Sequence, residues 1–384
     1  MLWGLTMNRW IVAFCCVLLC GSYSRAEDSL LYCVSKTETK DSRQSLSKTE
    51  VFAVDPTTGQ QRLVFSDARS KFVLLPGSDV QLDVVAAGGR IFSRAMDRKL
   101  YANGRMDNPA AIYELSADGS GKARKITDIH PNASMGSNFH FLFVSPTGAK
   151  LGYIRISGGK PYLFLHETST GGLLRELDLT ESVSSMSVTT IGWMPDGKRL
   201  YFTLNRTDED DEWPEPESLM GSYIMEEDGS GKHRVAPEKD LHPSRQGLNV
   251  DPKASAVLLG PLPDGRYLLK DMQGSAKVHP AIYVYVLSVA TKVQETLSID
   301  GLGELRPYRL SPSGHTVATV STQLKSIIPD DSADTKTLWV VNVESGSRRK
   351  LLTFTPQQDG TRWTGLIGWL GSHDAKAYGS SLAR

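Results

Sequence analysis

The residues best suited to chemistry in this chain are histidines. Of the eight present, His130, His242 and His279 each stand directly before a proline, and His140 sits at the start of the apolar run Phe139–Val144. Neutral imidazoles are common ligands of divalent transition metals, and three of them with one open position make a catalytic centre. His130, His140 and His242 are the candidate ligand set, with one divalent transition metal as the cofactor they would take. The competing reading needs no cofactor, because His-Pro pairs also begin ordinary loops. The acidic run Asp208–Glu212 offers carboxylates, but its spacing matches no calcium loop and reads as a solvated segment. Tyr101, Arg105, Trp213 and Arg245 fall in long polar segments, where exposed aromatics and arginines suit contacts to a protein or peptide. The sequence holds no Gly-x-Ser-x-Gly elbow, no His-Glu-x-x-His and no complete phosphate loop. Gly119–Lys122 and Gly229–Lys232 imitate part of such a loop, but no helix pattern follows them.

The elements that must position these residues are hairpins of two alternating kinds. One kind joins two apolar strands through a Pro/Gly turn. Its copies lie around Ser145–Gly148, Met194–Gly197 and Ser311–Gly314, with weaker ones around Ala87–Gly89, Asp251–Ala254 and within Thr364–Tyr378. Proline presets φ early in such a turn and glycine supplies the positive φ. The other kind turns at Asp55–Gly59, Ala117–Gly121, Glu167–Gly171, Glu227–Gly231 and Glu344–Gly346, with a further copy in Ile282–Leu297. Six hairpins of each kind, recurring every 50–60 residues or so, have the scale of four-stranded propeller blades. The expected fold is all-β, a six-bladed β-propeller of four-stranded antiparallel blades over residues 27–384. The chain begins on a hairpin of the second kind and ends on one of the first, so its termini share the closing blade. Leu30–Val34 reads as one more strand of that blade. Trp193 and Trp369 occupy matching strand ends and read as core between blades, and Arg348–Lys350 reads as a solvated outer edge.

Trp193–Phe202 and Val54–Gly59 resemble the TolB-like, WD40-like propeller repeat. The resemblance implies the fold and says little of function. TolB carries an α/β domain before its propeller, and the stretch between residue 27 and the first repeat at Val51 is too short for one. TolB-like propellers include oligogalacturonate lyases with a histidine-ligated metal in the channel, and Phe139–Pro146 looks like one strand of that family. On that reading Arg98 or Arg105 would neutralise a uronate carboxylate.

Strand alternation places every tight turn on one face of a propeller and the long connections on the other. The connections 94–109, 205–221, 271–280 and 321–336, with 129–137 and 239–246, therefore surround one mouth of the channel. Clustered long loops on a rigid face usually carry function.

Formal charge is balanced, 43 basic against 43 acidic residues, which gives no electrostatic reason to expect nucleic acid or an anionic membrane as partner. Arg9, the apolar run Trp10–Leu19 and Ser24-Arg25-Ala26 read as a signal peptide over residues 1–26, with no further transmembrane segment. Of four cysteines only Cys33 lies beyond that peptide, which leaves no intrachain disulfide and suggests a small buried apolar residue. The expected protein is secreted or periplasmic, a non-catalytic propeller binding a protein or peptide of the cell envelope on its long-loop face. The alternative is a metal-assisted polysaccharide lyase.

Overall fold

The computed structural model describes residues 29–371 apart from 41–42, 69, 75–82, 100–109, 130–137, 158–159, 181–185, 207–220, 238–255, 263–266, 272–282, 288–293, 299–304, 324–334 and 357–360. Runs of β-branched and aromatic residues bounded by turn residues become strands, as such patterning requires. In chain order they are β1 (Leu30–Lys40), β2 (Arg43–Val54) and β3 (Gln61–Ser66), then β4 (Phe72–Leu74), β5 (Val84–Ala87), β6 (Arg90–Asp97), β7 (Ala111–Leu115) and β8 (Ala123–Asp128). The next two blades are β9 (Asn138–Val144) to β12 (Leu173–Asp178), through β10 (Lys150–Ser157) and β11 (Lys160–Glu167), and β13 (Met186–Trp193) to β16 (His233–Pro237), through β14 (Arg199–Arg206) and β15 (Gly221–Glu226). The last are β17 (Ala256–Pro261), β18 (Tyr267–Asp271), β19 (Tyr283–Leu287) and β20 (Gln294–Ser298), followed by β21 (Leu305–Leu310), β22 (Thr316–Gln323), β23 (Thr335–Asn342) and β24 (Arg348–Phe354). The final strand is β25 (Thr361–Trp369).

These strands form six antiparallel sheets. Their inner strands touch in a closed cycle: β25 lies beside β5, β5 beside β9, β9 beside β13, β13 beside β17, β17 beside β21, and β21 beside β25. The fold is therefore a β-propeller whose six sheets close on themselves. The closing sheet has the order β25-β1-β2-β3, so the chain's end supplies one strand and its beginning supplies three. The termini therefore share the closing blade, as expected. Leu30–Val34 does belong to the closing blade, and its partner is β25, with Leu30 opposite Trp369 and Lys36 opposite Thr361. Within the expected hairpin Thr364–Tyr378, the part beyond residue 371 lies outside the described residues.

In the fifth blade the inner hairpin joins β17 to β18, with Pro261 paired to Tyr267, so Ala256–Leu259 opens this hairpin instead of closing the expected one; the turn expected at Asp251–Ala254 lies outside the described residues. The intervening Leu262-Pro263-Asp264-Gly265-Arg266 repeats the Pro-Asp-Gly of the fourth blade's turn at Pro195–Gly197.

The core lies between blades. One cluster packs Leu30, Tyr32 and Val34 of β1 with Leu366 and Trp369 of β25 against Ala318, Val320, Leu338 and Val340 of the sixth blade. Tyr32 stacks on Trp363 at 5.0 Å, and the Trp369 indole donates to the Arg309 carbonyl at 2.9 Å. Another cluster joins Phe143 and Ile154 of the third blade to Trp193, Leu200 and Phe202 of the fourth. Trp193 and Trp369 are thus buried core, as expected. Cys33 is buried and unoxidised, its thiol facing the Gly365 carbonyl at 3.5 Å.

Leu366 is fully buried at the closing seam. Truncating a buried leucine to alanine removes its transfer energy and leaves a cavity, so Leu366→Ala should lower stability by about 2–5 kcal/mol. Urea unfolding checks this, and the single transition should remain cooperative, because the seam belongs to every blade's ring.

Candidate functional site

The two faces of the propeller differ in what their polar groups do. On the tight-turn face, side chains and backbone of one blade are tied to the next. The second residue of β3, β8, β16 and β24 is an arginine: Arg62, Arg124, Arg234 and Arg349. Arg62 donates to the Ala117 carbonyl at 3.3 Å, Arg124 to those of Thr168 and Ser169 at 2.9 and 3.1 Å, and Arg349 to that of Thr57 at 2.9 Å. Each acceptor lies in the outer turn of the following blade. Arg90 binds Glu114 at 2.6 Å and reaches across to the Gly148 carbonyl and the Thr168 hydroxyl. Lys150 pairs with Glu227 of the next blade. The Gly89 amide donates to the Leu370 carbonyl at 2.9 Å. The turns themselves are closed by side chains: the Asp55 carboxylate accepts the amides of Thr58 and Thr57, which hold it below the usual carboxylate range. Arg348–Lys350 is exposed on the outer strand β24, as expected of a solvated edge.

The opposite face holds the ends of β6, β8, β12, β14, β16, β18, β20 and β22, from which the long connections depart; most of their residues lie outside the described ones. Blade 1 adds a ribbon there. β1 and β2 remain paired out to Lys40 opposite Arg43, whereas β25 accompanies β1 only to Lys36 and β3 accompanies β2 only to Glu50. The paired strands therefore project past both neighbours.

The inner strands carry the most unusual geometry. β9, β13, β17, β21 and β25 each slip register against their neighbouring strand. In β9 the slip falls at Phe141, which adopts φ 51°, a left-handed conformation costly for a bulky residue. In the second blade the inner strand is divided. β4 and β5 both pair with β6, Leu74 opposite Ala95 and Val84 opposite Ser93, and residues 75–83 fall between them in sequence.

Two buried carboxylates flank this division. Asp67 is fully buried and accepts the Thr49 amide and the Leu74 amide, both at 2.9 Å, with Arg98 at 3.2 Å. Burial raises its pKa against those three contacts. Asp83 is 4 % exposed and ion-paired with Arg94 at 2.5 Å. Burial pushes its carboxyl up to about 6, with Arg94 opposing. Neither aspartate is conspicuous in the sequence. The one available signal is an acidic residue set against apolar neighbours, Leu82-Asp83-Val84, with Arg94 and Arg98 four residues apart downstream.

Arg98 is therefore not free to neutralise a uronate. Its guanidinium closes over the connection into β4, donating to the carbonyls of Asp67, Ser70 and Phe72 as well as pairing with the Asp67 carboxylate. His140 lies on the inner strand β9, opposite Ile154 and beside the strained Phe141. Its side chain, and all of Tyr101, Arg105, His130, Trp213, His242 and Arg245, lie outside the described residues. Among the described residues no three His, Cys, Asp or Glu side chains converge as a metal site.

No family model matches the chain, and no curated protein matches it. Among solved structures it is similar to a putative TolB from Agrobacterium tumefaciens, with 14 % identity, 90 % of this chain and 95 % of that chain covered, and a TM-score of 0.52. TolB from Acinetobacter baumannii aligns at 15 % identity over 87 % of this chain and 67 % of that one, TM-score 0.48. An oligogalacturonate lyase in complex with manganese aligns at 12 % identity over 84 % and 85 %, TM-score 0.39. At these identities the Agrobacterium likeness establishes the TolB-like propeller fold and nothing finer.

Asp67→Asn keeps the shape but leaves the Arg98 charge without its buried partner and cannot satisfy both backbone amides. Breaking a buried pair from one side typically costs about 3–5 kcal/mol. The urea midpoint of this variant should fall accordingly, and Asp67→Asn with Arg98→Gln should recover part of the loss.

Proposed function

We propose that this protein is an exported binding propeller that captures a protein or peptide of the cell envelope on its long-loop face. One observation supports this reading: the tight-turn face carries ties between blades, as Arg62, Arg124 and Arg349 make, while the strand ends that lead into the long connections and the β1–β2 ribbon lie on the other face. A rigid ring presenting long loops on one side suits recognition. Tyr101 and Trp213 are the proposed anchors, with Arg105 and Arg245 as charged contacts around them. Large aromatic side chains and arginines are the residues that most often dominate such interfaces. The leader over residues 1–26 would direct export, and among the described residues no helix is long and apolar enough to cross a membrane.

The test is capture from an envelope extract by the full chain, followed by identification of what is held. Trp213→Ala with Tyr101→Ala should abolish capture, whereas Lys350→Glu, on the tight-turn side of an outer strand, should leave it intact. The opposite pattern would move the working surface to the other face. One transition metal per chain that survives dialysis and is lost in His140→Ala would replace the binding reading with the metal-assisted lyase.

A further inference from the structure

We propose that Asp83 and Arg94 form a proton-sensitive latch that fastens the divided inner strand of the second blade. The geometry is specific to this blade. Arg94 stands in β6 between the residues paired to β4 and those paired to β5, directly opposite the division. It holds Asp83 twice, its backbone amide donating to the Asp83 carbonyl at 2.8 Å and its guanidinium pairing with the carboxylate. Asp83 is the residue immediately before β5, so this double tie anchors the start of a strand only four residues long. β5 in turn lies against β9 on one side and the closing strand β25 on the other.

The contrast with Asp67 identifies which carboxylate can act as a switch. Asp67 accepts two backbone amides besides Arg98 and so is held from three sides. Asp83 has Arg94 as the only charged group acting on it among the described residues. Asp67 and Arg98, the next charges along the division, engage each other. β25 contributes Arg362, which exerts no pull on Asp83, and β9 contributes His140, whose side chain lies outside the described residues. A desolvated carboxylate with a single counter-ion takes up a proton far more readily than one in water.

The sign follows from burial. The folded state holds the Asp83 proton more tightly than the unfolded chain does. Its contribution to stability is complete below the ordinary carboxylate range and is lost as pH rises through about 6. Protonation therefore does not unfold the protein. Loss of the proton is what strains the latch: it leaves a desolvated negative charge with a single counter-ion, so that the start of β5 opens more readily as pH rises while the ring stays closed. This inference is independent of what the long-loop face binds.

The experiment is hydrogen–deuterium exchange of the full chain at pH 5 and pH 7.5, normalised to intrinsic rates, with the Asp83 carboxyl carbon shift followed over the same range. Protection of the Arg94 amide and of Val84–Ala87 should rise severalfold at the lower pH, with the midpoint of the Asp83 titration near 6. Asp83→Asn should show one level of protection at both pH values. His166, a buried imidazole of the third blade, remains in that variant and controls for titration elsewhere. Equal protection at both pH values in the unaltered chain would overturn the proposal. So would a pH dependence that survives Asp83→Asn, or an Asp83 carboxyl that titrates in the ordinary carboxylate range. Should that variant not fold, the carboxyl titration and the exchange of the unaltered chain still decide.

Discussion

The ring depends on one antiparallel pairing, that of the last strand with the first. β25 and β1 are separated by more than three hundred residues of chain, and nothing covalent holds them, since Cys33 is the one cysteine among the described residues and is unoxidised. Without that pairing β21 and β5 would lack their common inner neighbour, and the first and sixth blades would expose facing apolar surfaces. The seam is correspondingly well built. Tyr32 stacks between Phe52 and Trp363, Thr364 donates to the Ser35 hydroxyl at 2.7 Å, and Trp369 reaches across to the sixth blade. Closure turns six marginal sheets into one cooperative body with no exposed inner edge.

A closed ring still has to leave something for function, and the structure divides the work by face. Arginines at the start of three outer strands donate to carbonyls in the turns of the next blade, so the tight-turn side is tied at the seams of blades 1–2, 2–3 and 6–1. The other side holds the strand ends that lead into the long connections, and there Asp67 after β3 is tied to Leu74 and Arg98 of the second blade. Between them, the inner strands slip register in blade after blade, and in the second blade the slip becomes a division flanked by Asp67 and Asp83. Buried ion pairs add little net stability and are costly to break. Their position at an interruption of the innermost strand makes them devices for fixing geometry there.

Much of the fold could be read from residue order, and the reasons it could are local. Pro-Asp-Gly at 195–197 and Asp-Gly at 118–119 and 228–229 define turns through their own backbone preferences, whatever lies around them. Leu30–Val34 was legible as a strand for the same reason. Its partner was not, because pairing to residues 361–369 is decided by which apolar edge remains after five blades have formed. In the fifth blade Ala256–Leu259 could be read either as closing one hairpin or as opening the next, and only its pairing with β18 decides. The roles of Asp67, Asp83, Arg94 and Arg98 were illegible in principle. An aspartate in a loop and one buried beside an arginine look alike until the strands between them are paired. Arg98 illustrates the point: a basic residue at the mouth of a long loop reads as a ligand contact, whereas folding turns it back onto Asp67–Phe72.

The most direct test of the closure is a cross-link across the seam. Ser35 and Arg362 are paired across β1 and β25, and directly opposed residues of antiparallel strands stand about 4.5–5.5 Å apart at Cα, within the reach of a disulfide. In Ser35→Cys with Arg362→Cys, mild oxidation of the folded protein should join the N-terminal and C-terminal peptides, as read by mass mapping after proteolysis, and the thiol of Cys33 should remain free. If both introduced thiols stay reduced, or the thiol introduced in β1 bridges a different part of the chain, the ring is not closed by β25 and the account fails.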